Sequence, residues 1–241
     1  MVSQPQRPPA HHGHDHHGDD HHGDDHHGDG PNDVVMNEAF WDQMYHSSSA
    51  LWSGHANPHL VTEAVDLAPG AALDIGCGEG ADAIWLAERG WRVTAVDLST
   101  VALERGAGHA LEVSAEVAQR ITWLHADLTD WVPAAASYDL VSAQFMHLPK
   151  DQRELLHHRL AESVAPGGTL LVVGHHPLDL ETTIRRPSMP ELFFTASDVA
   201  ASLAPKEWVT LVDEARARHT LDPDGRTTTI HDAVLRAKRR G

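Results

Sequence analysis

The stretch AALDIGCGEGADAIWLAERGWRVTAVDLST, Ala71–Thr100, decides the fold of this chain. Its first part, Ala71–Ile75, is a short apolar run, and the glycine-rich turn GCGEG follows at 76–80. Ala81–Arg89 has the spacing of an amphipathic helix, and Trp91–Val96 is a second short apolar run. Two strands joined by one helix form a right-handed parallel βαβ unit, which binds its ligand beyond the carboxyl ends of the strands.

Two acidic residues and the glycines indicate what kind of ligand this unit binds. Glycines let a ligand approach the backbone closely, and the free N–H groups at the start of the helix favour an anion. Asp74 lies just before the glycines. Asp97 ends the second strand, where a carboxylate can accept hydrogen bonds from both hydroxyls of a ribose. The unit therefore predicts a ligand that contains a nucleoside.

Two families of ligand fit these residues. Gly76, Gly78 and Ala81 satisfy the GxGxxG/A pattern of dinucleotide-binding folds. The acid in front of the glycines, in DIGCGEG at 74–80, instead resembles motif I of class I methyltransferases that use S-adenosylmethionine (SAM). The resemblance implies that the first acid faces the methionine end of SAM and that the second holds the ribose. It assigns the following residues of this segment to the cofactor: Asp74, Gly76, Cys77, Gly78, Gly80, Asp97 and Leu98.

Composition excludes several classes of function. The formal net charge of −17 argues against nucleic acid as the main partner, because the chain has no basic stripe to neutralise phosphates. Cys77 is the single cysteine, so no internal disulfide can form. No apolar run approaches the roughly 20 residues of a membrane span. We therefore expect a cytoplasmic protein with no membrane partner, whose 241 residues hold one domain of ordinary size.

Residues 1–33 are predicted to be a disordered tail that precedes a domain at 34–241. The repeat HHGDDHHGDDHHGDG at 16–30 contains no apolar residue, so it cannot bury surface to offset the entropy of ordering. Neutral imidazoles beside carboxylates suit a divalent metal such as Ni²⁺ or Zn²⁺. A solubilising tail with incidental metal affinity is the alternative, and no metal site is predicted in the fold itself. The candidate metal ligands are His16, His17, His21, His22, His26 and His27.

Two helices and a loop are predicted between the tail and the first strand. Val34–Ser49 favours a helix, W-S-G-x-x-N-P follows at 52–58, and His59–Leu67 is a helix that begins after Asn57-Pro58. This arrangement resembles small bacterial methyltransferases of the tellurite-resistance and thiopurine types, in which the segment covers the cofactor and shapes the substrate pocket. Aromatic side chains that only pin a helix to the sheet are the alternative. The resemblance implies a cofactor contact for Trp52 and a place in the pocket for Trp41, Tyr45, His46 and Asn57.

The third strand, Ile121–His125, is followed by another acid. Asp127 and Leu128 resemble the family residues beside the adenine, where a carboxylate suits the exocyclic amine because it only accepts hydrogen bonds. The alternative is an acid that merely caps a turn. Three strands that end in acids strengthen the methyltransferase interpretation over the dinucleotide one.

The fourth and fifth strands add residues at the same edge of the sheet. Ser137–Phe145 is the fourth strand, and the resemblance places Gln144 beside the sulfonium methyl. A-P-G-G-x-L before the apolar strand Thr169–Gly174 also resembles the family. His175 follows this fifth strand and is a candidate for substrate binding.

The end of the chain predicts a hairpin. Trp208–Ala217 and Arg226–Lys238 favour strands that are joined by Asp222–Gly225. With this hairpin, the resemblance implies an α/β, Rossmann-like fold: a seven-stranded, mostly parallel sheet of order 3-2-1-4-5-7-6, with helices on both faces and an antiparallel last strand. A dehydrogenase would not be expected to end in this way.

The resemblance implies an enzyme that transfers a methyl group from SAM to a small molecule by in-line displacement. A thiolate or a metalloid oxyanion needs no base near neutral pH, whereas a hydroxyl does. His147, which follows the fourth strand, is the predicted catalytic residue for that case. A SAM-binding sensor or scaffold without catalysis, and an NAD(P)-dependent oxidoreductase, remain as alternatives.

Overall fold

The computed structural model describes residues 36–47, 54–146, 148–182 and 190–241. The predictions for the tail at 1–33, for Trp52 and for His147 lie outside these residues. In the described part, the strands are β1 (Ala71–Ile75), β2 (Arg92–Asp97), β3 (Ile121–His125), β4 (Tyr138–Gln144), β5 (Val164–His175), β6 (Trp208–Leu221) and β7 (Thr227–Arg239). The α-helices are α1 (Glu38–His46), α2 (Pro58–Ala64), α3 (Ala81–Glu88), α4 (Thr100–Val113), α5 (Ala115–Gln119), α6 (Lys150–Ser163) and α7 (Ala196–Ser202).

The seven strands form one sheet of order β3-β2-β1-β4-β5-β7-β6. Strands β1 to β5 pair in parallel, whereas β7 is antiparallel to both β5 and β6. The predicted fold class and strand order are therefore confirmed. A dinucleotide-binding sheet has the order 3-2-1-4-5-6, so the antiparallel strand between the fifth and the last distinguishes this fold from it.

Helices cover both faces of the sheet because the side chains of each strand alternate between the two. Leu170 and Val172 of β5 pack with α6 and α7, whereas Leu171 and Val173 pack with α2, α3 and α4. We call these the α6 face and the α3 face. Register places Val173 opposite Val234 and His175 opposite Asp232, so these four side chains share the α3 face.

The closing hairpin is longer than predicted. Strand β5 pairs with β7 only as far as His175 and Asp232, whereas β6 and β7 stay paired on to Leu221 and Thr227. The hairpin therefore extends beyond the end of β5, at the edge of the sheet where the parallel strands have their carboxyl ends. We call this the carboxyl edge; it holds the residues that follow β1 to β5.

The predicted helix from Ser99 to about Arg120 is interrupted. Ser114 has extended backbone angles (φ −173°, ψ 157°), and its side chain accepts a hydrogen bond from Val117 N at 3.1 Å, which caps α5. The break lies at this cap and not at Gly106 or Gly108, where helix propensity is lowest.

Candidate functional site

The glycine-rich turn lies at the carboxyl edge between β1 and α3. Gly76 and Cys77 both donate backbone hydrogen bonds to Val96 O, at 2.8 and 3.1 Å, which fold the turn over the end of β2. Gly76 has φ +65°, and a Cβ there would collide with Met146 Sδ. Gly80 has φ +82° immediately before α3. A side chain at either position would be strained, so the turn presents its backbone to the space above it.

Asp97 ties this turn to the start of α4. Its Oδ2 accepts a hydrogen bond from Gly78 N at 2.8 Å and its Oδ1 accepts one from Ser99 N at 2.9 Å. The side chain is 9% exposed, and burial raises its pKa although these backbone hydrogen bonds oppose the rise. Each oxygen has a second lone pair, so the carboxylate can still accept the two hydroxyls of a ribose.

Asp74, Asp82 and Asp97 form an acidic cluster around the turn. Asp74 is 1% exposed, and burial, with the negative charges of Asp82 and Asp97, raises its pKa well above the usual value. Its Oδ2 has no hydrogen-bond partner among the described residues. Asp82, in the first turn of α3, has a pKa raised to about 6 by burial, against a hydrogen bond of 2.6 Å from Asn57 N. A cation bound beside these carboxyl groups would offset the cost of burying Asp74 and Asp82 in their charged form.

Leu98, Asp127 and Leu128 follow β2 and β3, as predicted for residues beside an adenine. Leu98 O lies 2.9 Å from His125 Nε2, and Leu128 is buried in the core. Asp127 is exposed, and its Oδ1 accepts hydrogen bonds from Thr129 N at 2.9 Å and Thr129 Oγ1 at 2.7 Å. This carboxylate therefore stabilises a turn, and its contact with an adenine stays a prediction.

Helix α1 docks on the loops after β2 and β3. Asp42 accepts a hydrogen bond of 2.5 Å from Ser99 Oγ, and Glu38 Oε1 lies 2.9 Å from His125 Nε2. The substrate candidates on this helix differ in burial. Tyr45 is buried, Trp41 is half-buried and His46 is exposed. These contacts hold α1 against the ends of β2 and β3.

The loop that carries Asn57 meets the start of α3. The Asn57 side chain accepts a hydrogen bond from His59 N at 2.9 Å and caps α2, while its backbone N–H donates to Asp82. Asn57 therefore has a structural task in addition to its predicted place in the pocket: it holds the first turn of α2 against the first turn of α3.

The carboxyl ends of β4 and β5 meet next to the turn. Gln144 Nε2 donates to Ser142 Oγ at 2.9 Å, and its Oε1 is buried without a partner in the described part of the chain. Phe145 has φ +52°, a strained conformation for a residue with a side chain, and its ring lies 4.9 Å from that of His175. Cys77 is buried, and burial raises the pKa of its thiol, so it does not behave as a reactive cysteine.

One cluster at this edge could not be predicted from the sequence. His59 Nε2 lies 3.1 Å from Asp232 Oδ2, and Arg218 Nε lies 2.6 Å from the same oxygen. His59 and Asp232 are 173 residues apart, so only the pairing of β7 with β5 brings them together. The local sequence gives a single weak indication of this cluster, which is the histidine directly after the Asn57-Pro58 cap.

The described residues contain no group of three or more His, Cys, Asp or Glu side chains arranged to hold a metal ion. None of the helices in this part of the chain has the length and the apolar character that crossing a membrane requires.

Comparison with known proteins agrees with this geometry. Residues 72–168 match a family described as "Methyltransferase domain". An uncharacterised methyltransferase of Mycobacterium tuberculosis is 39% identical over 123 residues, which are 49% of this chain and 59% of that protein. A ubiquinone biosynthesis O-methyltransferase of Marinobacter nauticus is 29% identical over 187 residues, 73% of this chain and 74% of that protein. The chain therefore spans about three fifths of the length of the mycobacterial relative (59%).

Among solved structures, TehB of Haemophilus influenzae superposes with a TM-score of 0.61 at 18% identity, and the match covers 85% of this chain and 67% of TehB. This likeness is one of fold. Together, these findings confirm the resemblance to class I methyltransferases.

Proposed function

We propose that this chain, whose residues 72–168 match a methyltransferase domain, is an enzyme that transfers a methyl group from SAM to a small-molecule acceptor. The observation that carries the proposal is the buried Oδ2 of Asp74, which lacks a partner among the described residues while two further acids raise the pKa of its carboxyl. Burying such a group is costly unless a cation or a donor meets it. The proposed domain is the unit at 34–241.

SAM supplies both the cation and the chemistry: its ammonium and sulfonium are positive, and the sulfonium makes the methyl group electrophilic. Asp74 would face the ammonium, directly or through a water. Gly76, Cys77, Gly78 and Gly80 present backbone to the methionine end, and Asp97 would accept the ribose hydroxyls. In this proposal Leu98, Asp127 and Leu128 flank the adenine, Gln144 faces the methyl group, and Trp52 covers the cofactor.

The chain itself has to orient the acceptor and exclude water. Well-oriented reactants account for about 7–11 kcal/mol of a barrier, so positioning at the ends of β4 and β5 can supply much of the catalysis. A thiol, a metalloid oxyanion or a hydroxyl is the proposed acceptor, with Trp41, Tyr45, His46 and His175 as the proposed substrate contacts. The name of the ubiquinone biosynthesis O-methyltransferase, an oxygen methyltransferase, supports the hydroxyl within this set. His147, the base predicted from the sequence for that case, lies outside the residues that the structure describes.

Calorimetry tests the cofactor assignment. SAM and S-adenosylhomocysteine should bind, and NAD should not. Asp97→Ala should weaken SAM binding at least tenfold, because a charge-assisted hydrogen bond contributes about 1.5–3 kcal/mol. Asp66→Ala is the matched control, since Asp66 is exposed and lies after α2, away from the turn. Equal binding of NAD, or unchanged SAM affinity in Asp97→Ala, would contradict the assignment.

Turnover separates an enzyme from a SAM-binding sensor. A panel of small thiols, hydroxyl compounds and reduced metalloid oxyanions should include at least one acceptor that releases S-adenosylhomocysteine. Tight SAM binding with no release on any of the three classes would favour the sensor.

A further inference from the structure

Asp232 is an acid buried at the carboxyl edge that the proposed function does not yet use. It is the register partner of His175, and both residues lie on the α3 face. The side chain is 1% exposed. Burial by itself would raise its pKa, but the hydrogen bonds from His59 and Arg218, with the positive charge of Arg218, lower the pKa below the usual value. Asp232 is therefore an ionised carboxylate in the fold.

An ionised carboxylate fixes the state of the imidazole next to it. A carboxylate can only accept hydrogen bonds, so the His59 nitrogen that contacts it, Nε2, carries a proton. In the neutral ring the other nitrogen, Nδ1, then holds a lone pair. The side chain of His59 is 15% exposed, and Arg218 holds the carboxylate from the other side. Asp232 thus orients His59 as a hydrogen-bond acceptor at Nδ1.

The first turn of α2 fixes the position of His59 along the carboxyl edge. Asn57, two residues earlier, is hydrogen-bonded to Asp82 at the start of α3, and the contact with Asp232, the register partner of His175, holds His59 beside the end of β5. His59 therefore lies on the α3 face between the acidic turn and the end of the sheet that carries β5 and β7. The acceptor of a methyl group bound over β4 would extend in this direction.

Several charged and titratable groups of the described residues lie next to His59 or to the residues that hold it. From β6 and β7 they are Arg218 and Asp232, and from β5 it is His175. On its own helix, Glu63 lies one turn further on and pairs with Arg216 at 2.5 Å. From α3, Asp82 faces the Asn57 backbone.

We propose that His59 is the general base of the methyl transfer, that Asp232 is its positioning residue, and that the acceptor is a hydroxyl on an aromatic ring. This inference rests on the proposed function. In the step, the acceptor O–H gives its proton to His59 Nδ1 while the oxygen forms a bond to the methyl carbon. The bond between that carbon and sulfur breaks, its electron pair stays on sulfur, and S-adenosylhomocysteine results. The imidazolium then releases its proton to solvent.

The aromatic part of the proposal comes from the ends of β4 and β5. The ring of His175 lies 4.9 Å from that of Phe145 and 5.8 Å from that of Phe193. Phe145 and His175 are half-buried, so part of this group of rings can contact a ligand. A planar acceptor could pack on these rings within the same edge that carries His59.

The test compares two probes that share a ring but differ in their need for a base. Phenol has a pKa of about 10, like tyrosine, and must lose its proton during attack; thiophenol is a far stronger acid and is largely ionised at pH 8. General-base catalysis typically contributes about 10²–10⁴-fold. His59→Gln should therefore lower kcat with phenol at least 100-fold and leave kcat with thiophenol within about threefold. Asp232→Asn should reduce phenol turnover about 10–100-fold, as loss of an orienting carboxylate does elsewhere.

His158→Gln is the matched control, because His158 is 68% exposed on α6 and lies 3.6 Å from Glu162. It should change neither reaction. Equal losses with phenol and thiophenol in His59→Gln would mean a structural role and would overturn the proposal. So would a selective loss of phenol turnover in His147→Gln with none in His59→Gln.

The state of the His59 ring is measurable without turnover. Nitrogen-15 NMR of the imidazole should find the proton on Nε2 in the wild type and a changed tautomer population in Asp232→Asn. A proton on Nδ1 in the wild type would overturn the proposal even if neither probe is methylated. Failure of the proposed function has a different signature: SAM would not bind in calorimetry.

Discussion

Asp82→Asn should stabilise the ligand-free protein. Burial raises the pKa of Asp82 to about 6 in the fold, whereas an unfolded chain has an aspartate pKa of about 3.9. Between these values the folded state binds more protons than the unfolded state, so the free energy of unfolding falls as pH rises from about 4 to about 6. A difference of about two pKa units corresponds to about 3 kcal/mol, at about 1.4 kcal/mol per unit.

Asparagine removes the charge and keeps an oxygen that can accept the hydrogen bond from Asn57 N. We therefore expect the free energy of unfolding to rise by about 2–3 kcal/mol at pH 7.5, which corresponds to about 5–10 °C in Tm for a domain of this size. At pH 4 the difference should be small, because Asp82 is then protonated in the wild type. Urea unfolding at the two pH values measures both quantities, with Asp66→Asn, an exposed acid, as the control.

The same substitution should weaken the response to SAM. Asp82 raises the pKa of Asp74 by its charge, so removing that charge lowers the attraction of the acidic turn for a cation. The increase in Tm on adding SAM should be smaller in Asp82→Asn than in the wild type. An unchanged or lower stability at pH 7.5, or the same offset at pH 4 and pH 7.5, would refute this reasoning.

Three further predictions concern other parts of the chain. Gly106→Ala should lower the free energy of unfolding by about 1–3 kcal/mol, because a Cβ there would lie 2.7 Å from the Trp123 ring. Gly108→Ala should raise it by about 0.5–1 kcal/mol, because a Cβ there has nothing within 4 Å. Urea unfolding of both variants measures these changes. Burial, with the charge of a neighbouring arginine, lowers the pKa of His157 to about 4, so the wild type should lose about 3 kcal/mol as pH falls from about 6.5 to 4, and His157→Gln should flatten that slope in the same assay. Deleting residues 1–33 should abolish Ni²⁺ and Zn²⁺ binding in calorimetry and leave SAM affinity unchanged; metal binding by the truncated protein would refute the assignment to the tail.

The sequence predicted those elements whose signals are local. β1 and β3 have the predicted bounds, Ala71–Ile75 and Ile121–His125: Pro69-Gly70 and Gly76 flank β1, and β3 begins directly after the C-cap of α5 at Arg120. The end of the helix after β2 was wrong because its decisive interaction is a cap at Ser114, in a stretch that has helix formers on both sides. Gly106, which weakens a helix in isolation, is retained in α4 because the Trp123 ring occupies the space of its side chain.

The residues of the candidate site also fall into those that local sequence predicts and those that only the tertiary structure brings together. The acids Asp74 and Asp97 could be recognised because each lies at the end of a strand next to a glycine-rich turn. The pairing of His59 with Asp232 could not, since it depends on the register of an antiparallel strand that the chain adds last. Asp82 also escaped prediction, because its raised pKa follows from burial in the folded protein, which the hydrogen bond from Asn57 N only partly opposes.

The order of the strands places acidic groups in one half of the carboxyl edge and imidazoles in the other half. The acids lie around β1 and β2, where a positively charged cofactor would relieve their mutual repulsion. The imidazoles of His59 and His175 lie over β5 and β7, and β4 separates the two groups. In-line displacement requires the acceptor and the departing sulfur on opposite sides of the methyl carbon, so an enzyme that methylates a hydroxyl would need a cation site and a base on opposite sides of one point. Phe145, held in a conformation that costs of order 1–3 kcal/mol, directly follows that dividing strand, and its ring lies 4.9 Å from the ring of His175 in the second half.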